Sequence, residues 1–428
     1  MTTKITEKNI SSIANTGVQW QSVHVSDGST ALTATAGKGY FIDTTSGAQT
    51  VNFPSVDDST TGDTIIIKDY ARNFGSNAVT VASNTIDGTV GTTLTLGTNG
   101  QVAVFAFADA TKGWTSVGDL TTTQFGATYT SATGGTVTTS GNFKIHTFTG
   151  DGCFVVSSLG NSLGGGDKVS YMVVAGGGGT PGRAGGTGIG GGGGAGGYRE
   201  GLDAPVDSYT ASPLKAPAGL TITATTFPVT VGGGGAAGAG PSGGPTKGTN
   251  GSNSVFSTIT SAGGGRGGRN DPDKPGDAGG SGGGGINGGT GGAGNTPPVS
   301  PSQGNAGGAG NSPTVANGGG GGGAGGTGGD GAPGCRGGHG GAGTTSCITG
   351  SPVVRAGGGA GARAKAGTSN CATNVGGGGA GGYGPGPSPN LGTAGTANTG
   401  GGAGGDTDND LPGKAGGKGI VVIRYKFQ

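Results

Sequence analysis

The chain has 428 residues, of which 113 are glycine and only 11% are Asp, Glu, Lys or Arg. Average usage is about 7% glycine and about 25% charged residues, so the composition excludes both an ordinary globular enzyme and a highly charged disordered tail. The formal net charge of +1 gives no electrostatic basis for capturing nucleic acid or an anionic membrane.

The N-terminal segment, residues 1–17, is polar. It has no apolar stretch of the kind that a secretory signal carries, so we expect synthesis in the cytoplasm without a signal peptide. No part of the sequence approaches the run of about 20 apolar residues that a membrane-spanning helix needs.

Residues 18–120 are predicted to form an all-β sandwich or small barrel. Short runs of Val, Ile, Thr and Phe alternate there with clusters of turn residues, which is typical of closely spaced strands. The predicted strands are 18–25, 39–43, 50–53, 63–70, 78–83, 92–96 and 101–109. Asp87-Gly88 and Asn99-Gly100 are tight-turn signals.

Residues 121–175 are predicted to form a β linker domain with strands at 142–148, 153–158 and 168–175. The last strand of the chain, 419–427, is strongly apolar and places Val421, Ile423 and Tyr425 on one face. Such a strand needs a partner, and we expect it to pair with 168–175. Because strong helix formers are scarce, almost no α-helix is expected.

The glycine-rich region, 176–428, contains most of the glycine, since only 18 glycines precede residue 151. Flexible linker is one interpretation of such a composition. The spacing of the glycines favours an ordered structure instead. Every triplet from Gly318 to Thr344 has glycine in second place, and 281–295 repeats the pattern. Period three is typical of a polyproline-II-type helix, which has no internal hydrogen bonds.

Glycine allows such helices to hydrogen-bond to one another, because without a Cβ their backbones can approach closely. The region is therefore predicted to be a bundle of polyglycine-II-type helices closed by the strand 419–427. Recurrent Ala-Gly-Gly suggests roughly eight to ten short rods, and the long run from Gly318 must turn, near Pro333. Collagen is excluded because strict Gly-X-Y and abundant proline are missing.

Catalytic and metal motifs are not informative here. Glycine patterns such as GxGxxG are expected by chance at this composition, and GxSxG at Ser242 and Ser281 lacks the strand and helix of a nucleophile elbow. We therefore predict no enzyme activity, no cofactor and no metal. Four cysteines in a chain of this length do not make a disulfide framework. We expect free thiols or, as the alternative, a disulfide between Cys335 and Cys347.

Several blocks of the sequence resemble a known family of proteins. Six ordered blocks resemble the glycine-rich distal domain of bacteriophage tail fibres: 132–154, 171–179, 191–200, 227–235, 395–405 and 416–427. Residues 39–74 resemble the proximal β domain of fibres from phages of marine bacteria, cyanobacterial hosts included. The chain departs from a regular rod pattern at the strand-like stretch 220–231.

The resemblance implies a viral tail fibre protein, located in the virion, that attaches the phage to its host. Residues 1–17 would join other phage tail proteins, and 18–120 would form a shaft that is commonly a homotrimer. The glycine-rich domain, 176–428, would carry variable loops to a host surface glycan or outer-membrane protein. No nucleic acid partner is expected.

Candidate receptor contacts are polar and aromatic side chains in the loops between rods, since Arg and Tyr are favoured contact residues. For each of them, a solvated side chain without function is the alternative. The candidates are Arg266, Arg269, Arg336, His339, Arg355, Arg363, Lys365, Tyr383 and Asn390.

Two other functions stay open from the sequence. Bundles of glycine helices can expose flat Thr and Ala faces, as an ice-binding or structural glycine-rich protein would, although the charged and proline-rich loops speak against a flat face. The second is a fibre that degrades surface polysaccharide, for which no convincing pair of carboxylates is found.

Overall fold

A computed structural model describes residues 17–121, 128–161, 164–182, 189–240, 246–269, 273–311, 317–332, 337–363, 375–384, 391–407 and 412–428. The chain divides into two compact units, the first within Met1–Phe125 and the second within Gly126–Gln428. No helix among the described residues is long and apolar enough to cross a membrane.

The first unit consists of strands and a single described turn of 3₁₀-helix, Val56–Asp58. The strands are β1 (Gln19–Trp20), β2 (His24–Val25), β3 (Leu32–Thr33), β4 (Lys38–Asp43), β5 (Gln49–Asn52), β6 (Thr64–Asp69), β7 (Val79–Ala82), β8 (Thr85–Ile86), β9 (Thr89–Val90), β10 (Thr93–Leu96), β11 (Gln101–Asp109) and β12 (Gly113–Thr121).

These strands form two sheets that share one core. One sheet has the order β1-β4-β6-β11-β12-β8-β9, with β2 also paired to β4, and the other has the order β10-β7-β5-β3. Ile42, Ile67 and Phe105 of the first sheet and Val51 and Val81 of the second are buried in the same apolar cluster. The sheets therefore face each other, which confirms the predicted sandwich.

The connectivity of the first unit differs from a series of hairpins. From β2 to β7 the chain alternates between the sheets, so that β2, β4 and β6 pair in parallel in one, and β3, β5 and β7 in the other. Each parallel connection crosses through the opposite sheet, as in a short β-solenoid. Hairpins occur only later among the described residues, at β8–β9 and β11–β12.

The second unit is also built on strands. They are β13 (Ser131–Thr133), β14 (Thr136–Ser140), β15 (Phe143–Phe148), β16 (Gly152–Ser158), β17 (Lys168–Val174), β18 (Tyr198–Gly201), β19 (Lys215–Ala216), β20 (Leu220–Thr221), β21 (Thr226–Thr230), β22 (Ser254–Phe256), β23 (Ile259–Ser261), β24 (Thr344–Ser346), β25 (Val353–Arg355) and β26 (Ile420–Lys426).

The central sheet of this unit has the order β14-β15-β26-β17-β18-β19, and β20 also pairs with β17. The predicted pairing of the C-terminal strand with 168–175 is confirmed, because β26 lies antiparallel beside β17 with Val174 opposite Ile420. Strand β15 flanks β26 on its other side. The described residues between 128 and 175 therefore belong to the same compact unit as the glycine-rich region.

Both faces of the central sheet are buried. Tyr171 and Ile423 pack on one face against Phe154 and Phe256 of a second sheet, which has the order β13-β16-β21-β22-β23. Met172 and Val422 lie on the other face, in a second apolar cluster. A strand buried on both faces reads as a continuous apolar run, as the sequence of β26 does.

The glycine-rich region is a bundle of extended rods rather than a flexible linker. The inner rods are 175–182, 189–197, 262–268, 279–286, 317–324, 356–363 and 400–406, and the outer rods are 232–239, 246–252, 289–294, 304–310, 326–331, 337–343, 376–382, 391–396 and 412–419. These are more rods than the number that we expect from Ala-Gly-Gly alone.

The rod 189–197 lies at the centre of six others. Its N–H groups point in three directions that repeat every third residue: Gly193 donates to Ala403 (2.7 Å), Gly194 to Gly265 (2.8 Å) and Ala195 to Gly322 (2.9 Å). Its carbonyls accept from three further rods, through the N–H groups of Gly178, Ser281 and Gly359. Three residues per turn and lateral hydrogen bonds alone confirm the polyglycine-II-type bundle.

Pairs of strands continue directly into pairs of rods. Beyond Val174 and Tyr198, which are paired in β17 and β18, the N–H of Ala175 donates to Gly197 (3.0 Å) and that of Gly178 to Gly194 (2.8 Å). The same continuation follows β17–β26, where Gly177 donates to Gly417 (2.9 Å). Side-chain directions repeat every two residues in the strands and every three residues in the rods. Across this junction each chain segment keeps the same hydrogen-bonded neighbour.

Alanine replaces glycine where rods meet the sheet. Ala195, Ala324 and Ala356 each begin an Ala-Gly-Gly and are buried with Met172 and Val174 in one apolar cluster. Their methyl groups therefore extend the core of the sheet to the rod ends.

The run from Gly318 to Thr344 turns, as predicted, and the rods 326–331 and 337–343 on either side of Pro333 lie side by side, with the N–H of Gly329 donating to the carbonyl of His339 (2.9 Å). Its first reversal is at Ala324, where the N–H of Gly323 donates to Gly326 (2.9 Å). Pro333 lies outside the described residues.

A matched pair of substitutions tests the packing of the rods. A Cβ on Gly193 would overlap the carbonyl oxygen of Gly178, whereas a Cβ on Gly233 would have no heavy atom within 4 Å. We expect Gly193→Ala to lower the free energy of unfolding by about 3 kcal/mol or more, because overpacking displaces several backbones. Gly233→Ala should be neutral or stabilising by about 0.5 kcal/mol. Urea denaturation of both variants measures this, and equal stabilities would contradict the bundle.

Candidate functional site at the rod ends

The rods present a common end away from the central sheet. The rod 175–182 leaves the sheet at Ala175, and seven further residues at about 3.1 Å each place Gly182 roughly 22 Å away. At that level Gly182 donates to Thr246, Gly190 to Asp406 and Gly318 to Ala362. We call this end of the bundle the distal end.

Many connections between rods begin and end there. The described residues that flank them, such as Gly182, Gly190 and Arg363, belong to the distal level. The connections themselves, 183–188, 241–245, 270–272, 312–316, 333–336, 364–374, 385–390 and 408–411, lie outside the described residues.

Arg266 lies on the rod 262–268 and Arg269 directly follows it, and both pair with acidic residues. The Arg266 guanidinium is 2.9 Å from the Asp277 carboxylate, and only 8% of the residue is exposed. The Arg269 guanidinium is 3.9 Å from Asp273, which also pairs with Lys247 at 2.8 Å. A hydrogen bond from Lys247 lowers the pKa of Asp273. Arg266 therefore joins neighbouring rods and presents little surface to a receptor.

Arg363 and Tyr383, which are far apart in sequence, come together at the distal end. Backbone bridges connect Asn311 to Asn317, Asn317 to Arg363 and Arg363 to Tyr383. Arg363 is only 8% exposed, and Tyr383 is half-buried. These backbone bridges hold four rods side by side. Of Arg363 and Tyr383, it is Tyr383 that keeps side-chain surface available at the distal end.

His339 is exposed on the rod 337–343, and its carbonyl accepts from the N–H of Gly329 at 2.9 Å. Arg336, Lys365 and Asn390 lie outside the described residues.

Arg355 is at the opposite end of the bundle from the predicted contact surface. It closes β25, and only 6% of it is exposed. Burial lowers the pKa of Arg355, although the nearby Tyr198 and Glu200 act in the other direction. One guanidinium nitrogen, Nη1, has no hydrogen-bond partner among the described residues. The expectation of an exposed receptor contact at Arg355 does not fit this position.

Glu200, beside Arg355, is the centre of a buried polar cluster. Its carboxylate accepts hydrogen bonds from the hydroxyls of Tyr198 (2.8 Å), Tyr209 (3.0 Å) and Ser346 (2.6 Å) and from the N–H of Ser212 (3.0 Å). Burial and the neighbouring carboxylate raise the pKa of Tyr198 and of Tyr209. These bonds join β18 and β24 to the loop between β18 and β19.

A buried ion pair lies on the same side of the sheet as the Glu200 cluster. The Arg424 guanidinium is 3.0 Å from the Asp207 carboxylate, which also accepts from the Ser170 hydroxyl. The guanidinium lies over the rings of Phe143 (4.4 Å) and Tyr209 (5.4 Å). Both charges are thus compensated, which buried ions require. Because side chains alternate along a strand, Arg424 lies on the opposite face of β26 from Ile423.

Glu200 and Asp207 were not among the residues predicted from the sequence. The sequence signal for Glu200 is that Glu occurs only at positions 7 and 200, and that Glu200 lies three residues after the end of a glycine rod. Glu200 points to the buried face of the sheet, where its charge has to be satisfied by hydrogen bonds.

Among the described residues, no three His, Cys, Asp or Glu side chains are grouped so that they could hold a metal ion. Asp273 is paired with Lys247, and Asp406 is 3.2 Å from the ammonium of Lys414. Cys347 carries a free thiol, as does Cys153; Cys335 and Cys371 are outside the described part of the chain.

The comparison with protein families identifies the second unit. The sequence profile of a glycine-rich domain matches residues 157–426, more than half of the chain. The chain belongs to this glycine-rich domain family. No curated protein matches the chain. The matched range begins within β16 and ends with β26, so it covers the rods together with most of the sheets on which they stand.

The Glu200 cluster gives a prediction about stability. Glu200→Gln keeps the shape of the side chain but removes the charge that accepts four hydrogen bonds. We expect a loss of about 3 kcal/mol in the free energy of unfolding, because hydrogen bonds to a charged acceptor are lost and the buried Arg355 guanidinium loses a nearby opposite charge. Lys215→Gln on the neighbouring strand is exposed and should change stability by less than about 0.5 kcal/mol. Thermal denaturation measures both, and a Glu200→Gln variant as stable as the wild type would contradict the role of the cluster.

Proposed function

We propose that this chain is a tail fibre protein of a bacteriophage that attaches the virion to its host cell without enzymatic action. The distal end of the glycine bundle would contact a host surface glycan or outer-membrane protein. The N-terminal segment 1–17 would join other tail proteins, and the protein would reach the virion from the host cytoplasm.

The distal end is the observation that carries this proposal. Most hydrogen bonds between the rods join backbone to backbone, and many inter-rod connections begin and end at one level. Sequence can therefore change in these connections without altering the rods, which suits a surface that must follow a varying receptor. Tyr383 and His339 lie at or near this level with accessible side chains.

The first unit supports the assembly part of the proposal. Trp20 (46% exposed) and Tyr70 (56% exposed) lie on either side of Phe41, with ring centroids 4.4 Å and 6.4 Å from that of Phe41, so that they form one exposed aromatic patch. Exposed apolar surface of this kind is typical of subunit contacts. We propose a homotrimer formed through this unit. The mass of the purified protein in sedimentation tests this: three times 39.8 kDa indicates a trimer, and 39.8 kDa indicates a monomer.

Competition for the host measures the attachment function with the intact chain. Purified protein added to host cells before the phage should reduce adsorption in a concentration-dependent way. A His339→Ala/Tyr383→Ala variant should need at least about tenfold more protein, because aromatic contact residues often contribute 2 kcal/mol or more.

Lys215→Ala, at the other end of the bundle, is the matched control and should compete like the wild type. If the intact chain neither binds host cells nor competes, the attachment proposal is wrong. If the chain competes but the double variant is unchanged, these two side chains are not part of the contact.

A further inference from the structure

A cavity of about 190 Å³ opens beside the strand β18, outside the distal end. It lies between β18, the hairpin β22–β23 and the loop 295–303. Its lining residues are Arg199, Asn253, Thr258, Thr260, Ala262, Pro297, Val299 and Gln303. Pockets for drug-sized ligands occupy about 300–1,000 Å³, so this one suits a single ring-sized group.

Arg199 supplies the charge of the cavity. It lies opposite Val173 in the sheet and is half-buried, while its neighbours Tyr198 and Glu200 point to the other face. No hydrogen bond or ion pair joins its guanidinium to another of the described residues. This differs from Arg266 and Arg424, which face carboxylates. A guanidinium held at a cavity with its donors unused is suited to a planar carboxylate.

The other polar groups are uncharged and point to hydroxyl recognition. Thr258 and Thr260 are exposed on the hairpin, and their hydroxyls make no hydrogen bond with the rest of the described chain. The side-chain oxygen Oδ1 of Asn253 accepts from the N–H of Gly263 (2.9 Å), which leaves the side-chain NH₂ of Asn253 to donate. Pro297 and Val299 add an apolar wall, against which the C–H face of a ring can pack.

The walls are fixed before any ligand binds. The Asn295 side chain accepts from the N–H of Val299 and donates to its carbonyl, each at 3.1 Å. Gln303 is 1% exposed. Its side-chain amide donates a hydrogen bond to the carbonyl of Pro297 and accepts one from the N–H of Ala262, at 2.8 Å each. A preformed site does not lose the ordering entropy of a loop on binding.

We propose that this cavity binds the pyranose ring of an acidic sugar, with the ring carboxylate on Arg199 and the ring hydroxyls on Thr258, Thr260 and Asn253. A bare phosphate fits less well, because Arg199 is the only cation among the described lining residues and no helix N-terminus contributes there. The proposal goes beyond the proposed function, since it concerns another part of the unit and can be tested without phage or host.

Ligand-detected NMR on the full-length purified chain provides the test. Glucuronate, glucose and inorganic phosphate are titrated separately into the wild type, Arg199→Gln and Lys215→Gln. We expect saturable binding of glucuronate to the wild type and to Lys215→Gln. Replacing glucuronate by glucose, or Arg199 by Gln, should each weaken binding by at least about tenfold, as expected for the loss of a hydrogen bond between charged groups.

Three outcomes would overturn the proposal: no saturable glucuronate binding, glucuronate binding unchanged in Arg199→Gln, or phosphate binding as strong as glucuronate binding. Thr260→Val keeps the shape of the hairpin and should weaken glucuronate binding severalfold while leaving phosphate unaffected. If it has no effect, the hydroxyl part of the assignment is wrong. Failure of these titrations leaves adsorption at the distal end untouched, so the two proposals fail separately.

Discussion

The lateral hydrogen bond between backbones of neighbouring rods is the interaction on which the second unit depends. A three-residue helix satisfies none of its own N–H and C=O groups, so every buried rod must be surrounded by others. The rod 189–197 has six such neighbours. Rods this close leave no space for a Cβ at Gly193, and this requirement explains why glycine is so abundant and why its spacing matters more than its amount.

The sheets determine where each rod begins. Because β17 continues into 175–182 and β26 follows 412–419, the strand pairing fixes the register of the first rod pair, and further rods add to it. Alanine methyls at Ala195, Ala324 and Ala356 fill the junction with the core. The irregular stretch 220–231, which resembled no rod, forms part of this base as β20 and β21.

Periodicity predicted the rods and the closing strand because both are local patterns in the sequence. The parallel pairing of β2, β4 and β6 was not predictable, since alternating strands look the same in hairpins and in a two-sheet coil. The candidate contacts were chosen by residue type alone, and Arg266, Arg355 and Arg363 are mostly buried. Each lies in or beside a rod whose neighbours cover it, and such lateral neighbours are far apart in sequence. Tyr383 and His339 keep accessible surface.

Amide hydrogen exchange of the native chain, followed by mass spectrometry of its peptides, tests most directly whether the rod 189–197 is surrounded by six others. Amides of 190–197 should exchange as slowly as those of β26, because both segments are hydrogen-bonded and surrounded on all sides, and the outer rod 232–239 should exchange faster. Exchange of 190–197 at the rate of an unstructured glycine linker would contradict a packed bundle.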